Sequence, residues 1–312
     1  MRRVASCLVV AAVAAACGPA TPNVGTRATA EDHASEETAL APSQATIGRF
    51  SKKRAMKDVR KLAGDIGVRV RTTRAEKKGT RYIARRFRSM GYNVNVQRFH
   101  VDDGVSHNVV AWWPGSRRYP LIVGAHMDSV PDSPGANDNA SGVAVVLENA
   151  RLFAGTPQAE WVRFVAFGSE EYGTDGRHHV GSEKFVVRLR DEGRRRLPGM
   201  VSVDMVADGR PLIVGNSGIA EDSVAKMLYR DLKQEKIGVT YQTTCDCSDN
   251  GPFERAGIPA GFMYSGEEPD YHSASDTPAN LKPKDLERSG RALRSVLKRL
   301  DRKRIVRLRK SG

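Results

Sequence analysis

Apolar and polar positions along the chain repeat in two ways. Between residues 51 and 67 the spacing is helical, with Met56, Val59, Leu62, Ala63 and Ile66 forming one apolar stripe, and a second helix is predicted over 74–90. Short apolar and β-branched runs then predict strands at about 92–99, 106–112, 119–126, 161–167, 199–204 and 258–263. Val143 to Phe153 reads as a helix that opens on the turn-rich segment Ser133 to Gly142. Leu286, Leu293, Val296, Leu297 and Leu300 mark a closing helix. The alternation predicts an α/β fold: a single globular domain with a mixed, mostly parallel β-sheet flanked by helices on both faces. The early strands are expected to be antiparallel at one side, and the middle strands, joined through helices, parallel.

Three of these strands end in metal-binding residue types. The run Tyr119 to Ala125 delivers His126 and Asp128 two residues apart, so both face one side. Trp161 to Phe167 leads to Glu170 and Glu171, and Met200 to Val203 leads to Asp204. Asp138 sits on the polar turn before a helix, and His272 comes later. In open α/β sheets ligands bind at the carboxyl ends of the strands, so this placement agrees with the residue types. Imidazole and carboxylate are the donors of open catalytic zinc sites. Two histidines with four or five carboxylates exceed the need of one such ion and suit two ions sharing a bridging carboxylate and a water. Adjacent side chains leave the backbone in different directions, so Glu170 and Glu171 divide into a ligand and a general base. Asp128 is expected to hold the His126 imidazole from behind.

Gly124-Ala-His-Met-Asp-Ser129, Gly135-Ala-Asn-Asp-Asn-Ala-Ser-Gly142, Gly168-Ser-Glu-Glu-Tyr-Gly173, Val203-Asp-Met205 and Tyr271-His-Ser-Ala-Ser-Asp276 occur in that order. Together they resemble the successive motifs of the zinc-dependent exopeptidases typified by secreted bacterial leucyl aminopeptidases. The resemblance runs from about Leu62 to about Leu297 and includes Leu62-Ala-x-x-Ile-Gly-x-Arg69. It implies two Zn2+ per chain: His126 and Asp204 on one, Glu171 and His272 on the other, and Asp138 bridging. It implies Glu170 as the general base, Asp128 as the support of His126, and Tyr271 as a donor to the tetrahedral intermediate. The implied activity is removal of amino-terminal residues from peptides by a metal-bridged hydroxide. Alternatives are a glutaminyl cyclase-like acyltransferase using one zinc, a carboxypeptidase or dipeptidase on the same scaffold, and a catalytically silent envelope-binding homologue.

Two departures from the family pattern stand out. Thr174 to Val180 lengthens the loop between Gly173 and Gly181-Ser182, and Ser248-Asp249-Asn250 has asparagine where histidine is common. The longer loop is expected to border the cleft. His33, His100, His107, His178 and His179 read as ordinary solvated or satisfied polar residues. Family members often carry a short-range disulfide beside the specificity pocket, so a Cys245 to Cys247 bridge is expected, with a free dithiol or metal-reactive pair as the alternative.

Composition changes the picture at the two ends. Residues 1–16 combine a basic start with an apolar stretch too short to span a bilayer, and read as an export signal. Cys17 follows Ala14-Ala-Ala16 in the manner of a lipoprotein signal, giving a lipid-anchored envelope protein, with free secretion as the alternative. Residues 17–50 read as a flexible tether, with a propeptide as the alternative, 51–300 as the peptidase domain and 301–312 as a basic tail. The net charge of +14 is uneven. Lys and Arg outnumber Asp and Glu by 15 to 3 over residues 51–90 and by 13 to 3 over 281–312, whereas 91–280 has 18 against 26. The basic flanks are read first as solvated helix faces and second as contacts to an anionic membrane or envelope surface. No aromatic platform or recognition helix points to nucleic acid.

Overall fold

A computed structural model describes residues 46–102, 104–266 and 268–310. The expected export segment, Cys17 and most of the 17–50 tether lie outside the described residues. The chain opens with α1 (Lys52–Val59), capped by the Ser51 hydroxyl and continued by a wider turn over Arg60–Ile66, and then α2 (Arg74–Ser89), capped by Thr73. Strands β1 (Asn93–Val101), β2 (Gly104–Trp112) and β3 (Leu121–His126) follow. Next come α3 (Gly142–Phe153), β4 (Val162–Phe167), α4 (Val180–Arg188), α5 (Arg190–Arg196) and β5 (Met200–Val203). The remainder is β6 (Leu212–Gly215), α6 (Ser223–Gln234), β7 (Val239–Tyr241), α7 (Asn250–Arg255), β8 (Ala260–Tyr264), α8 (Pro283–Leu297) and α9 (Arg302–Lys310).

The eight strands form one sheet in the order β1-β2-β4-β3-β5-β8-β6-β7. The inner four, β4, β3, β5 and β8, are parallel. As expected, the early strands are antiparallel at one edge, where β1 pairs β2 and β2 pairs β4. Both sheet faces are covered. Val123, Phe164 and Val201 point into a large core closed by α1, α2, α3, α6 and α8, and Ile122, Val165 and Met200 point into a smaller one closed by α4 and α7. Burial on both sides explains why β3 is apolar at nearly every position rather than alternating.

The structure corrects three expectations. The domain starts before residue 51, because the carbonyls of Ile47 and Gly48 accept bonds from Arg294 and Phe50 is buried against Gly290. Residues 302–310 are not a loose tail. Ile305 and Leu308 are buried there, and Arg304 pairs with Asp231 at 2.6 Å. Strands β6 and β7 are additions to the predicted set, and β6 runs antiparallel to β8.

Arg69 joins the amino-terminal helices to the floor of the cleft. It is fully buried and donates to the carbonyls of Met127, Leu62, Gly67, Pro134 and Gly135 at 2.6–3.1 Å. Burial lowers its pKa to about 10, so it stays charged. An Arg69→Met variant leaves these carbonyls without their donor and is expected to lose about 3 kcal/mol of stability, read from the denaturant midpoint. An equally stable variant would show that the fan of carbonyls needs no cation.

Candidate metal centre

The parallel strands deliver their ends to one edge of the sheet. His126, the last residue of β3, pairs in register with Phe167, the last of β4, so Glu170 and Glu171 emerge just beyond it. Asp204 follows β5 directly, and His272 lies in the long connection after β8. Asp138 is held on an irregular turn whose amides are fixed from outside: Asp276 accepts the N–H of Asn137 at 2.6 Å and of Asp138 at 3.1 Å. The turn begins at Gly135 with φ +61°, where a Cβ would collide with the Asp138 carbonyl oxygen.

Asp138 presents one oxygen to each histidine. Its Oδ1 lies 3.0 Å from His126 Nε2 and its Oδ2 lies 3.1 Å from His272 Nε2. His126 Nε2 is also 3.4 Å from Asp204 Oδ1 and 3.8 Å from Glu170 Oε2, while His272 Nε2 is 3.3 Å from Glu171 Oε2. Donor atoms of His126, Asp138 and Glu171, and those of His126, Glu170 and Asp204, gather within 4.8 Å of one another.

Such crowding of buried acids is electrostatically unfavourable. Burial pushes Glu170 well above the carboxylate range, and burial with the Asp138 charge pushes Glu171 to about 7. Asp204 is raised by burial as well. For Asp138 burial acts in the same sense, but the two imidazoles outweigh it and hold the carboxyl below its ordinary value. Burial opposes protonation of His126 and His272, yet the surrounding carboxylates raise both, His272 to about 10. Asp204 Oδ1 and Glu171 Oε1 are buried without hydrogen-bond partners. Unsatisfied oxygen donors beside imidazole nitrogens are what divalent cations with N and O ligation take, so the residues fit metal.

Around this set lie the supporting groups. Asp128 stands behind His126, with Oδ1 3.7 Å from Nδ1, beyond hydrogen-bond length. Its oxygens instead accept the amides of Glu170 and Glu171, each at 3.1 Å, so Asp128 fixes the glutamate pair more firmly than the imidazole. The Ser248 hydroxyl donates to Asp204 at 2.8 Å. Tyr271 is 38% exposed and stacks on His272 with ring centroids 3.7 Å apart. Burial raises its hydroxyl pKa, which keeps it a donor.

The lengthened loop brings in a residue that its sequence context marks as ordinary. His179 is 1% exposed, and its Nε2 lies 3.0 Å from Glu170 Oε1 and 3.1 Å from His178 Nδ1. It is therefore neither solvated nor remote. Burial drops its pKa to about 3, so it is neutral, and with the proton on Nε2 it donates to Glu170. Arg71 pins the loop by donating to the Arg177 carbonyl at 2.7 Å and to Asp175 at 2.6 Å. His179→Ala is expected to lower kcat roughly tenfold at unchanged metal content through misorientation of Glu170, with partial recovery in His179→Gln. Equal rates in all three proteins would make His179 a packing residue only.

A cavity of about 530 Å3 opens over these groups, lined further by Met205, Arg210, Phe262, Tyr264, Gly266, Tyr271 and the Cys245 and Cys247 disulfide. A parallel-sheet α/β domain with a carboxylate and imidazole cluster of this kind at its strand ends is the framework of a metal-dependent hydrolase. Residues 108–297 match the model of peptidase family M28, and the chain belongs to that family. It is 28% identical over 237 residues to leupeptin-inactivating enzyme 1 of Streptomyces exfoliatus, covering 68% of this chain and 52% of that protein. To the probable lipoprotein aminopeptidase LpqL of Mycobacterium tuberculosis it is 31% identical over 216 residues, 55% of this chain and 41% of the relative. The chain thus spans about half the length of these curated relatives. The solved structure of BSAP, a zinc aminopeptidase from Bacillus subtilis, superposes with a TM-score of 0.73 at 20% identity, over 80% of this chain and 95% of that one. A Fimbriiglobus ruber glutaminyl cyclase superposes with a TM-score of 0.71 at 26% identity, over 84% of this chain and all of that one.

Proposed function

We propose that this chain is a two-zinc aminopeptidase acting on peptides. The observation that carries the reading is Asp138, whose two oxygens face different histidines, each within reach of another carboxylate. His126 and Asp204 would hold one zinc, Glu171 and His272 the other, and Asp138 both. Bound zinc would supply charge to polarise the scissile carbonyl and to make a water nucleophilic near neutral pH. Glu170, a buried carboxyl with a raised pKa, takes the proton of the attacking water and passes it to the leaving amine. His179 orients that carboxylate, Asp128 fixes its backbone, and Tyr271 offers a hydroxyl to the oxyanion. The acidic cleft favours the free ammonium of a peptide's amino terminus.

Similarity to LpqL supports an exported protein anchored through a lipid at Cys17, with free secretion as the alternative. Among the described residues no helix is long and apolar enough to cross a membrane. The test of function is mass spectrometry of a mixed peptide library incubated with the zinc-loaded protein. Loss of single amino-terminal residues supports the proposal, and loss from the carboxyl end selects a carboxypeptidase. A second reading, glutaminyl cyclase-like acyl transfer, is favoured by the 26% identity to the cyclase structure. One metal per chain with cyclisation of amino-terminal glutamine would establish it over hydrolysis.

A further inference from the structure

The cleft contains a cation that the reaction does not use. Among the described residues Arg210 is the one arginine or lysine lining the cavity, whose wall also carries the acidic ligand residues. Its position is built rather than incidental. The Asp208 carboxylate, its side chain all but buried, accepts the Arg210 amide at 3.0 Å and lies 3.3 Å from Nε. Arg288 donates to the Arg210 carbonyl, fixing the backbone from the other side. These contacts hold the stem of the residue. The two terminal nitrogens have no carboxylate partner among the described residues, and the side chain remains 46% exposed on the cavity side of its loop.

The same cavity has an apolar, flat stretch of wall. Phe262 and Tyr264 stack with centroids 4.4 Å apart and planes within 5°, and Met205 and the disulfide complete it. A cavity that combines an apolar wall with an open guanidinium fork suits a short aliphatic stem carrying a carboxylate, which the fork grips with two parallel hydrogen bonds. A substrate ammonium is repelled by the same group and drawn towards the acids, so one charge pair sets the direction in which a substrate enters.

Resting on the aminopeptidase reading, we infer that Arg210 is a specificity residue that seats a substrate carboxylate, so that the chain takes acidic substrates. The carboxylate belongs either to the side chain of an amino-terminal Glu or Asp or to the carboxyl terminus of a dipeptide. The test compares kcat/KM of the zinc-loaded wild type, Arg210→Met and Arg210→Lys. Substrates are the p-nitroanilides of Glu, Gln and Leu, and Leu-Leu beside Leu-Leu amide. In the first case wild type favours Glu over Gln about tenfold or more, and Arg210→Met lowers the Glu-to-Leu ratio by about tenfold to a hundredfold, chiefly through KM. In the second the ratio of Leu-Leu to its amide falls in the same way. Arg210→Lys restores part of the lost ratio, which a variant that merely misfolds would not do. If neither ratio moves in Arg210→Met, the inference is overturned. Calorimetric binding of free glutamate and glutamine separates this outcome from failure of the aminopeptidase reading. A glutamate preference that vanishes in Arg210→Met, in a protein that hydrolyses none of the substrates, rejects the peptidase and keeps the carboxylate site.

Discussion

Glu170→Gln is expected to bind zinc as the wild type does and to turn over peptide about a hundredfold to ten-thousandfold more slowly. Glutamine has nearly the same shape and can still accept a bond from His179, so the pocket should not collapse. What it cannot do is take a proton. The distinction matters because Glu170 Oε2 stands 3.8 Å from His126 Nε2, close enough to belong to a ligand group with Asp204. If Glu170 were a ligand, the variant would lose metal and rate together. If it is the base, metal content measured by elemental analysis stays at the wild-type value while kcat falls and KM changes little. A rate within a few-fold of wild type would remove Glu170 from the reaction altogether.

Much of this site is legible in the sequence because the fold writes it at strand ends. His126 and Asp204 can be placed from the apolar runs that precede them, since a strand buried on both faces has to stop where the first charged residue must reach the crevice. Asp138 is legible from its turn residues. Other features leave no local mark. Strands β6 and β7 have four and three residues and are too short to show a period. Helix α9 has nine residues, six of them Lys or Arg, and that density hides Ile305 and Leu308, whose three-residue spacing is the available signal. His179 cannot be found from sequence at all. Its contact with Glu170 depends on how the Thr174 to Val180 segment folds back under Arg71, and a pair of histidines in a polar loop gives no hint of direction. Asp128 shows a subtler gap: the period-two spacing places it correctly beside His126, but whether it serves the ring or the amides beyond it is a matter of tenths of an ångström.

Chelation of the metal should convert the protein into one whose stability falls as pH rises from 5 to 8. In the stripped protein Glu171, ordinarily 4.5, titrates near 7, and so does Asp249, ordinarily 3.8, which is fully buried beside the cluster. A carboxyl raised on folding holds its proton longer in the native than in the unfolded chain. Its contribution is therefore complete below about pH 4 and is lost as pH climbs through about 7. His126 and His272, raised by the same carboxylates, act in the same sense. Asp138 opposes only in acid solution, and His179, lowered by burial from 6.5 to about 3, opposes up to about pH 6.5, so the fall is steepest above that pH. A tenfold difference in proton affinity between native and unfolded chains is worth about 1.4 kcal/mol, and the groups share one site and do not add, so the net loss is on the order of 3 kcal/mol. In a domain of this size that is about 10 °C in Tm. Zinc replaces the missing positive charge without a proton, so the loaded protein should keep a nearly level Tm over the same range. Calorimetric melts of the loaded and stripped forms at pH 5, 6, 7 and 8 give the comparison directly. A stripped protein whose Tm stayed level or rose with pH would mean that the acids of the cleft are already neutralised by something other than a metal.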